Sequence, residues 1–216
     1  GSPQQRENRG TAVAGSQSMT QDVLPPLLRE LRGVVLRLLP LIGGALFHGL
    51  CMKHGWLGFL AKPIDRGRTF RGQPIFGHSK TFRGPVCVAL GAAAVWAFQQ
   101  GVLQRIDALA ALELVDRASL PGWWFGAVAG AAAELAELPN SFVKRRLGIG
   151  PGKTTRGPLS AVFYLWDQLD LLLGYGLVLA TVVPATPLRV ALSILVVGAI
   201  HPLLTVAGYL LGMRPT

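Results

Sequence analysis

Two aspartates three residues apart, Asp167 and Asp170, open a long apolar run near the end of the sequence Leu-Trp-Asp-Gln-Leu-Asp. On a helix that spacing puts both on one face, with Cβ atoms roughly 5 to 6 Å apart, so one divalent cation could hold both carboxylates. The surrounding stretch, 159–183, is long and apolar enough to cross a bilayer, where carboxylates are costly and usually functional. Just upstream, Lys144, Arg145, Arg146, Lys153 and Arg156 form a cationic cluster suited to phosphate oxygens. An acid pair beside a basic loop points to metal-assisted phosphate chemistry at a membrane surface.

The elements that must position these groups are membrane helices. Half of the 216 residues are hydrophobic, only 15% are charged and the mean hydropathy is +0.42, values foreign to a soluble domain of this length. The net charge of +10 is concentrated between apolar runs, which favours lipid headgroups or phosphorylated substrates and argues against nucleic acid. Cys51 and Cys87 lie in or beside apolar runs without metal-ligand spacing, so they are expected to be small buried hydrophobes.

Residues 1–20 are polar and begin Gly-Ser, expected to be a disordered tail with an expression scar; 21–33 read as an interfacial helix. A single helical membrane domain follows over 34–213, with spans near 34–50, 85–103, 123–138, 159–183 and 188–211. Loop 51–84 is strongly basic, with Lys and Arg numbering seven against Asp65 alone across 53–84. The 104–122 connection carries two Arg against three acids and is expected to include a short amphipathic helix; loop 139–158 carries five basic residues and no acid. The positive-inside rule then gives an all-α integral membrane protein of about five transmembrane helices, amino terminus outside, carboxyl terminus cytoplasmic; a prokaryotic cytoplasmic (inner) membrane is the expected location. Glu137 falls on the side of the basic loops and is a third carboxylate candidate. The string Gly77-His-Ser-Lys80-Thr81 lacks the glycine spacing and strand context of a P-loop, and that reading is rejected.

Four blocks in order, Pro63-Ile-Asp65-Arg-Gly67-Arg68-Thr69-Phe70, Gly77-His-Ser-Lys80-Thr81-Phe82-Arg83-Gly84, Ser141-Phe-Val-Lys144-Arg145-Arg146 and Asp167-Gln-Leu-Asp170, resemble the CDP-archaeol synthase family, relatives of the bacterial CDP-diacylglycerol synthases. Where that family carries Gly-Asp-Gly-Lys-Thr-Trp-Arg-Gly, this chain has His78 and Ser79 in place of the acid and its following glycine; where it carries Gly-Asp before the serine block, this chain has Ala136-Glu137. The resemblance implies transfer of CMP from CTP to a membrane lipid phosphate, with release of pyrophosphate. It assigns Mg²⁺, or Mn²⁺, to Glu137, Asp167 and Asp170, and catalytic roles to Asp167, Asp170, Lys144 and Lys80. Substrate contacts fall to Asp65, Arg68, Thr69, Lys80, Thr81, Arg83, Ser141, Lys144 and Arg145. The replaced acid at His78 leaves open a second reading, a non-catalytic lipid-binding or scaffolding member that keeps the fold. A homodimer is also open.

Overall fold

The computed structural model describes residues 26–103, 105, 122–150, 159–210 and 212. Five long helices make up most of it: α1 (Pro26–Lys53), α2 (Arg83–Leu103), α3 (Gly122–Arg146), α4 (Leu159–Leu179) and α5 (Pro187–Leu210). Between α1 and α2 lie a 3₁₀ turn, Gly58–Leu60, and a two-stranded hairpin of β1 (Thr69–Phe70) and β2 (Gln73–Pro74). The expected interfacial segment and first span join without a break into α1, whose interior Pro40 does not end it. The amphipathic helix expected in the 104–122 connection lies outside the described residues, Arg105 and Gly122 apart.

Four of these helices, α1, α2, α4 and α5, are long and apolar enough to cross a membrane. The fifth, α3, has the length but carries Glu134, Glu137 and the Lys144-Arg145-Arg146 end. It packs between α2 and α4. Packing is most extensive between α2 and α3, α1 and α2, and α3 and α4, so α3 sits where polar side chains can face protein instead of lipid. Among the described residues the core is built from Val34, Leu38 and Leu41 of α1, Ala129 and Ala133 of α3, Tyr175 of α4 and Leu192 of α5. Tyr175 is fully buried and donates its hydroxyl to the carbonyl of Arg37 at 2.7 Å, satisfying a polar group that lipid could not.

Helices in lipid gain little from burying apolar surface against one another, so close backbone approach supplies the attraction. At Gly91 of α2 an added Cβ would lie 2.9 Å from both the Gly43 carbonyl oxygen and the Gly44 Cα of α1. The α3–α4 contact is equally tight at Gly174, where a Cβ would come within 2.7 Å of the Ala132 carbonyl carbon and of Ala136 Cβ. Small residues thereby fix the spacing of the helices that carry the acid pair.

One boundary departs from expectation. Pro139 was expected to close the third span, with Ser141, Lys144 and Arg145 in a loop, yet α3 runs through it to Arg146. Proline removes one backbone hydrogen bond and crowds the preceding turn, but membrane helices absorb that cost when neighbours hold them straight. The consequence is chemical: Ser141, Lys144 and Arg145 are held on a rigid helix end, in register with Glu137.

Candidate active site

The loop between α1 and α2 is organised by its single acid. Asp65 is 6% exposed, and its carboxylate accepts the backbone N–H of Gly67 (2.9 Å), Phe76 (2.9 Å) and Gly77 (2.8 Å). Outside it, Ile64 N–H donates to the Lys80 carbonyl at 2.8 Å and Phe82 N–H to the Lys62 carbonyl at 3.1 Å, so the loop closes on itself around Pro63 and Thr81. At the hairpin tip both Arg71 (φ 52) and Gly72 (φ 74) have positive φ, the backbone of a type I′ turn, whose twist suits two short antiparallel strands. Burial pushes the Asp65 carboxyl up, but the three N–H bonds outweigh it and hold the group below the usual carboxylate range.

A folded-state pKa below the unfolded value means that this contribution is complete above the unfolded carboxylate range, about pH 4, and is lost as pH falls through the folded value. Asp65→Asn offers one acceptor oxygen and turns an NH₂ toward a backbone donor, so loop order is expected to fall by about 2 to 3 kcal/mol. Hydrogen exchange at Gly67, Phe76 and Gly77 checks this. Protection should be strong in the parent chain at neutral pH, weaken in acid, and be largely gone at every pH in the variant.

Two arginines fasten this loop to the end of α3. Arg145, 6% exposed, donates from Nε to the Phe76 carbonyl at 3.1 Å and from Nη1 to the Ile149 carbonyl. Arg146 donates to the carbonyls of Phe70, Gln73 (3.1 Å) and Pro74, and its guanidinium lies over the rings of Phe70 and Phe142 at 5.4 and 4.9 Å. The phosphate role expected for Arg145 is shared with a structural one: Nε is engaged by the loop's Phe76 carbonyl and Nη1 by the Ile149 carbonyl just past α3. Arg146, expected only as one charge of the phosphate-seeking cluster, is the residue that fixes the hairpin.

The acid pair lies across from the same helix end. Lys144 Nζ donates to both carboxylate oxygens of Asp167, 2.7 Å from Oδ2. Asn140 Nδ2 reaches Asp167 Oδ1 at 2.6 Å and Asp170 Oδ2 at 3.0 Å, so one amide joins the two carboxylates. Asp170 is 3% exposed and its other oxygen accepts its neighbour's N–H, that of Leu171, at 2.8 Å. Lys80 pairs with Glu137, and its electrostatic neighbours are Glu134, Asp170, Asp167 and Lys144, which places the end of the loop at the same centre. Burial pulls the Lys80 ammonium below the usual lysine range, against the pull of those carboxylates. Lys80, Glu137, Lys144, Asp167 and Asp170 are therefore brought together, and Ser141 is buried on the turn between them. Arg68 and Thr69 are exposed on the hairpin, away from this cluster's hydrogen bonds.

Asn140 was not anticipated. It is 2% exposed, and its Oδ1 has no hydrogen-bond partner among the described residues. Two spaces meet the cluster. A cavity of about 520 Å³ is lined by His48, Lys80, Thr81, Arg83, Glu134 and Glu137 together with Leu38 and Leu41 of α1 and Val196 and Ile200 of α5. His48 Nδ1 lies 3.5 Å from Glu134 Oε1, and His78 and Ser79, the departures from the family pattern, line the same cavity. On the far side of α4 an apolar groove of about 730 Å³ runs between α1, α4 and α5 and reaches Asp170.

The site suits a hard divalent cation in part. Asp167 and Asp170 present oxygens on one face, and the orphaned amide oxygen of Asn140 is beside them, the donor type that Mg²⁺ and Mn²⁺ take. Glu137 is tied to Lys80, and no group of three His, Cys, Asp or Glu side chains stands at metal-binding spacing among the described residues.

Membrane helices, a carboxylate pair under a lysine and a cavity with both polar and apolar walls define an integral membrane enzyme of phosphate-group transfer. The comparisons with known proteins narrow this. A family model described as CarS-like, CDP-archaeol synthase, matches residues 53–216. The chain is 31% identical over 161 residues to a CDP-archaeol synthase of Methanoculleus marisnigri, covering 70% of this chain and 87% of that one. It is 32% identical over 162 residues to a CDP-archaeol synthase of Halobacterium salinarum, covering 71% and 81%. A solved structure of an intramembrane enzyme for archaeal membrane lipid biosynthesis aligns with a TM-score of 0.55 at 22% identity, over 80% of this chain and 92% of that one, a likeness of fold. The chain belongs to the CDP-archaeol synthase family. It is a CTP-dependent cytidylyltransferase acting on a lipid phosphate to give a CDP-lipid.

Proposed function

We propose that CMP transfer takes place at the cytoplasmic face, at the cluster of Lys80, Lys144, Asp167 and Asp170. The observation that carries this reading is that Asp170 lines an otherwise largely apolar groove while its partner Asp167 is bound by Lys144. A lipid phosphate must keep its chains in an apolar space and bring only its phosphate to the polar centre. The groove between α1, α4 and α5, or the cavity that Lys80 lines together with apolar residues of α1 and α5, offers such a space.

In the reaction an oxygen of the lipid phosphate forms a bond to the α-phosphorus of CTP, and the bond from that phosphorus to the bridging oxygen of pyrophosphate breaks in line. Lys80 and Lys144 supply the fixed positive charge against which two anions can approach and pyrophosphate can leave. Arg83 and Thr81, at the mouth of α2, line the cavity where further phosphate oxygens would lie. No side chain needs to act as a covalent nucleophile. Asp167 and Asp170, with Glu137 on the adjoining turn, would hold Mg²⁺ or Mn²⁺, and a bound cation supplies charge neutralisation at the transferring phosphoryl group. Asp65, Arg145 and Arg146 act through the loop, keeping Lys80 in place. The acceptor is an archaeol phosphate by the name of the relatives.

Sidedness is tested in sealed vesicles. With CTP and Mg²⁺ added outside, inverted vesicles should form CDP-lipid and right-side-out vesicles should not until they are permeabilised. The opposite pattern would invert the topology. Chelation of divalent cations should stop product formation in the inverted vesicles, and its restoration by Mg²⁺ or Mn²⁺ but not Zn²⁺ is the expected result.

A further inference from the structure

A buried amide whose nitrogen is fully used and whose oxygen is not is an imbalance, because an unsatisfied buried acceptor costs about 1 to 3 kcal/mol. Asn140 is in that position: Nδ2 bridges Asp167 and Asp170, and Oδ1 is without a partner among the described residues. We infer that Asn140 is a two-way side chain that holds the aspartates together through Nδ2 when the site is empty of metal, and turns over to place Oδ1 beside them as a third oxygen ligand when a divalent cation binds. The inference rests on the reading of the acid pair as a metal site.

The distances support the exchange. Turning the amide about its last bond brings Oδ1 to where Nδ2 now lies, 2.6 and 3.0 Å from the two carboxylate oxygens. Three oxygens so close repel one another unless a cation lies between them. In an octahedral shell with bonds of about 2.1 Å, neighbouring oxygens are about 3 Å apart, so the 3.0 Å contact to Asp170 already has that length and the 2.6 Å contact to Asp167 would have to open by a few tenths of an ångström. The same residue thus removes the cost of two crowded carboxylates in one state and its own orphaned oxygen in the other. Position on α3 makes this possible: Asn140 follows Pro139 and is one helical turn before Lys144, whose ammonium is on Asp167.

The probe is Mn²⁺ alone, added to purified, nucleotide-free full-length protein in detergent and followed by electron paramagnetic resonance and by thermal denaturation. Asn140→Leu, which offers no oxygen, should bind Mn²⁺ at least tenfold more weakly than the parent chain. Asn140→Asp should bind at least as tightly as the parent. It should also show a larger Mn²⁺-induced rise in melting temperature, because three carboxylates repel one another before the metal arrives. Should Asn140→Leu fail to fold, the Asp variant decides: weaker binding there, or a smaller rise, overturns the inference. Parent-like affinity in both variants, with Asp170→Asn weakened, would overturn it while leaving the acid pair as the metal site. If the parent binds no Mn²⁺, or Asp170→Asn binds as the parent does, the metal reading fails and this inference with it.

Discussion

Asp170→Asn is expected to lower CMP transfer by roughly a thousandfold, the rate equivalent of losing several kcal/mol of charge stabilisation at the transferring phosphoryl group. The same variant should be at least as stable as the parent chain. Asp170 is 3% exposed, and among the described residues its carboxylate has only an amide and a backbone N–H as hydrogen-bond partners, so neutralising it removes a desolvation cost while an Asn oxygen can still accept from Asn140. Asp167→Asn should differ. It leaves the Lys144 ammonium, whose side chain is 18% exposed, without its paired charge, so activity and detergent melting temperature should fall together. Measuring both quantities on both variants separates a metal-binding carboxylate from a structural ion pair. A stability loss at Asp170 equal to that at Asp167, with CMP transfer retained, would remove the catalytic role from the pair.

The second large effect is expected at a residue with no functional group. Gly174 lies one helical turn beyond Asp170 on the same face of α4, and a Cβ there would press on the Ala132 carbonyl carbon and Ala136 Cβ of α3. A backbone carbonyl cannot rotate away as a flexible side chain can, so Gly174→Val should push α4 from α3. The expected stability loss is about 3 kcal/mol, the upper end of ordinary overpacking. The displacement also draws Asp167 and Asp170 away from Lys144 and Asn140, and about 1 Å of misplacement is enough to cost roughly a hundredfold in rate. Gly176→Ala provides the contrast, since nothing lies within 4 Å of a Cβ at that position; the gain in helix propensity should leave stability unchanged or slightly higher. Melting temperature in detergent and transfer rate, measured on the three proteins, check the ordering.

Much of this was legible in the residue order because the strongest signals are local. The Asp167–Asp170 spacing, the apolar lengths of α1, α2, α4 and α5, and the basic loops each lie within one stretch of chain. What escaped depends on contacts between distant stretches. Asn140 sits in Pro-Asn-Ser, which by composition is turn chemistry; only its packing against α4, 27 and 30 residues away along the chain, makes it a bridge. Arg145 and Arg146 read as phosphate ligands or as loop charge, whereas the Phe76 carbonyl that Arg145 binds and the Phe70, Gln73 and Pro74 carbonyls that Arg146 binds belong to residues some 70 positions earlier. The helical spacing of Glu137, Ser141, Lys144 and Arg145 was the available sign that α3 continues through Pro139. Asp65 was assigned to substrate, yet the turns at Gly67 and Gly77 give its carboxylate three donors before any ligand arrives. Glycine-rich loops offer N–H groups to an anion, and here the first anion served is the loop's own.

The central claim is that the cluster on α3 and α4 moves the α-phosphoryl group of CTP, with its cytidine, onto a lipid phosphate. The direct measurement uses purified protein, Mg²⁺ and a lipid phosphate of isoprenoid ether or fatty-acyl ester type, with CTP labelled at the α-phosphorus in one set and at the γ-phosphorus in the other. The expected result is α-label in the lipid fraction, γ-label in pyrophosphate, and neither transfer in the Asp170→Asn protein. Gamma-label in the lipid, or α-label in the lipid at equal rates with and without Asp170, would contradict the account.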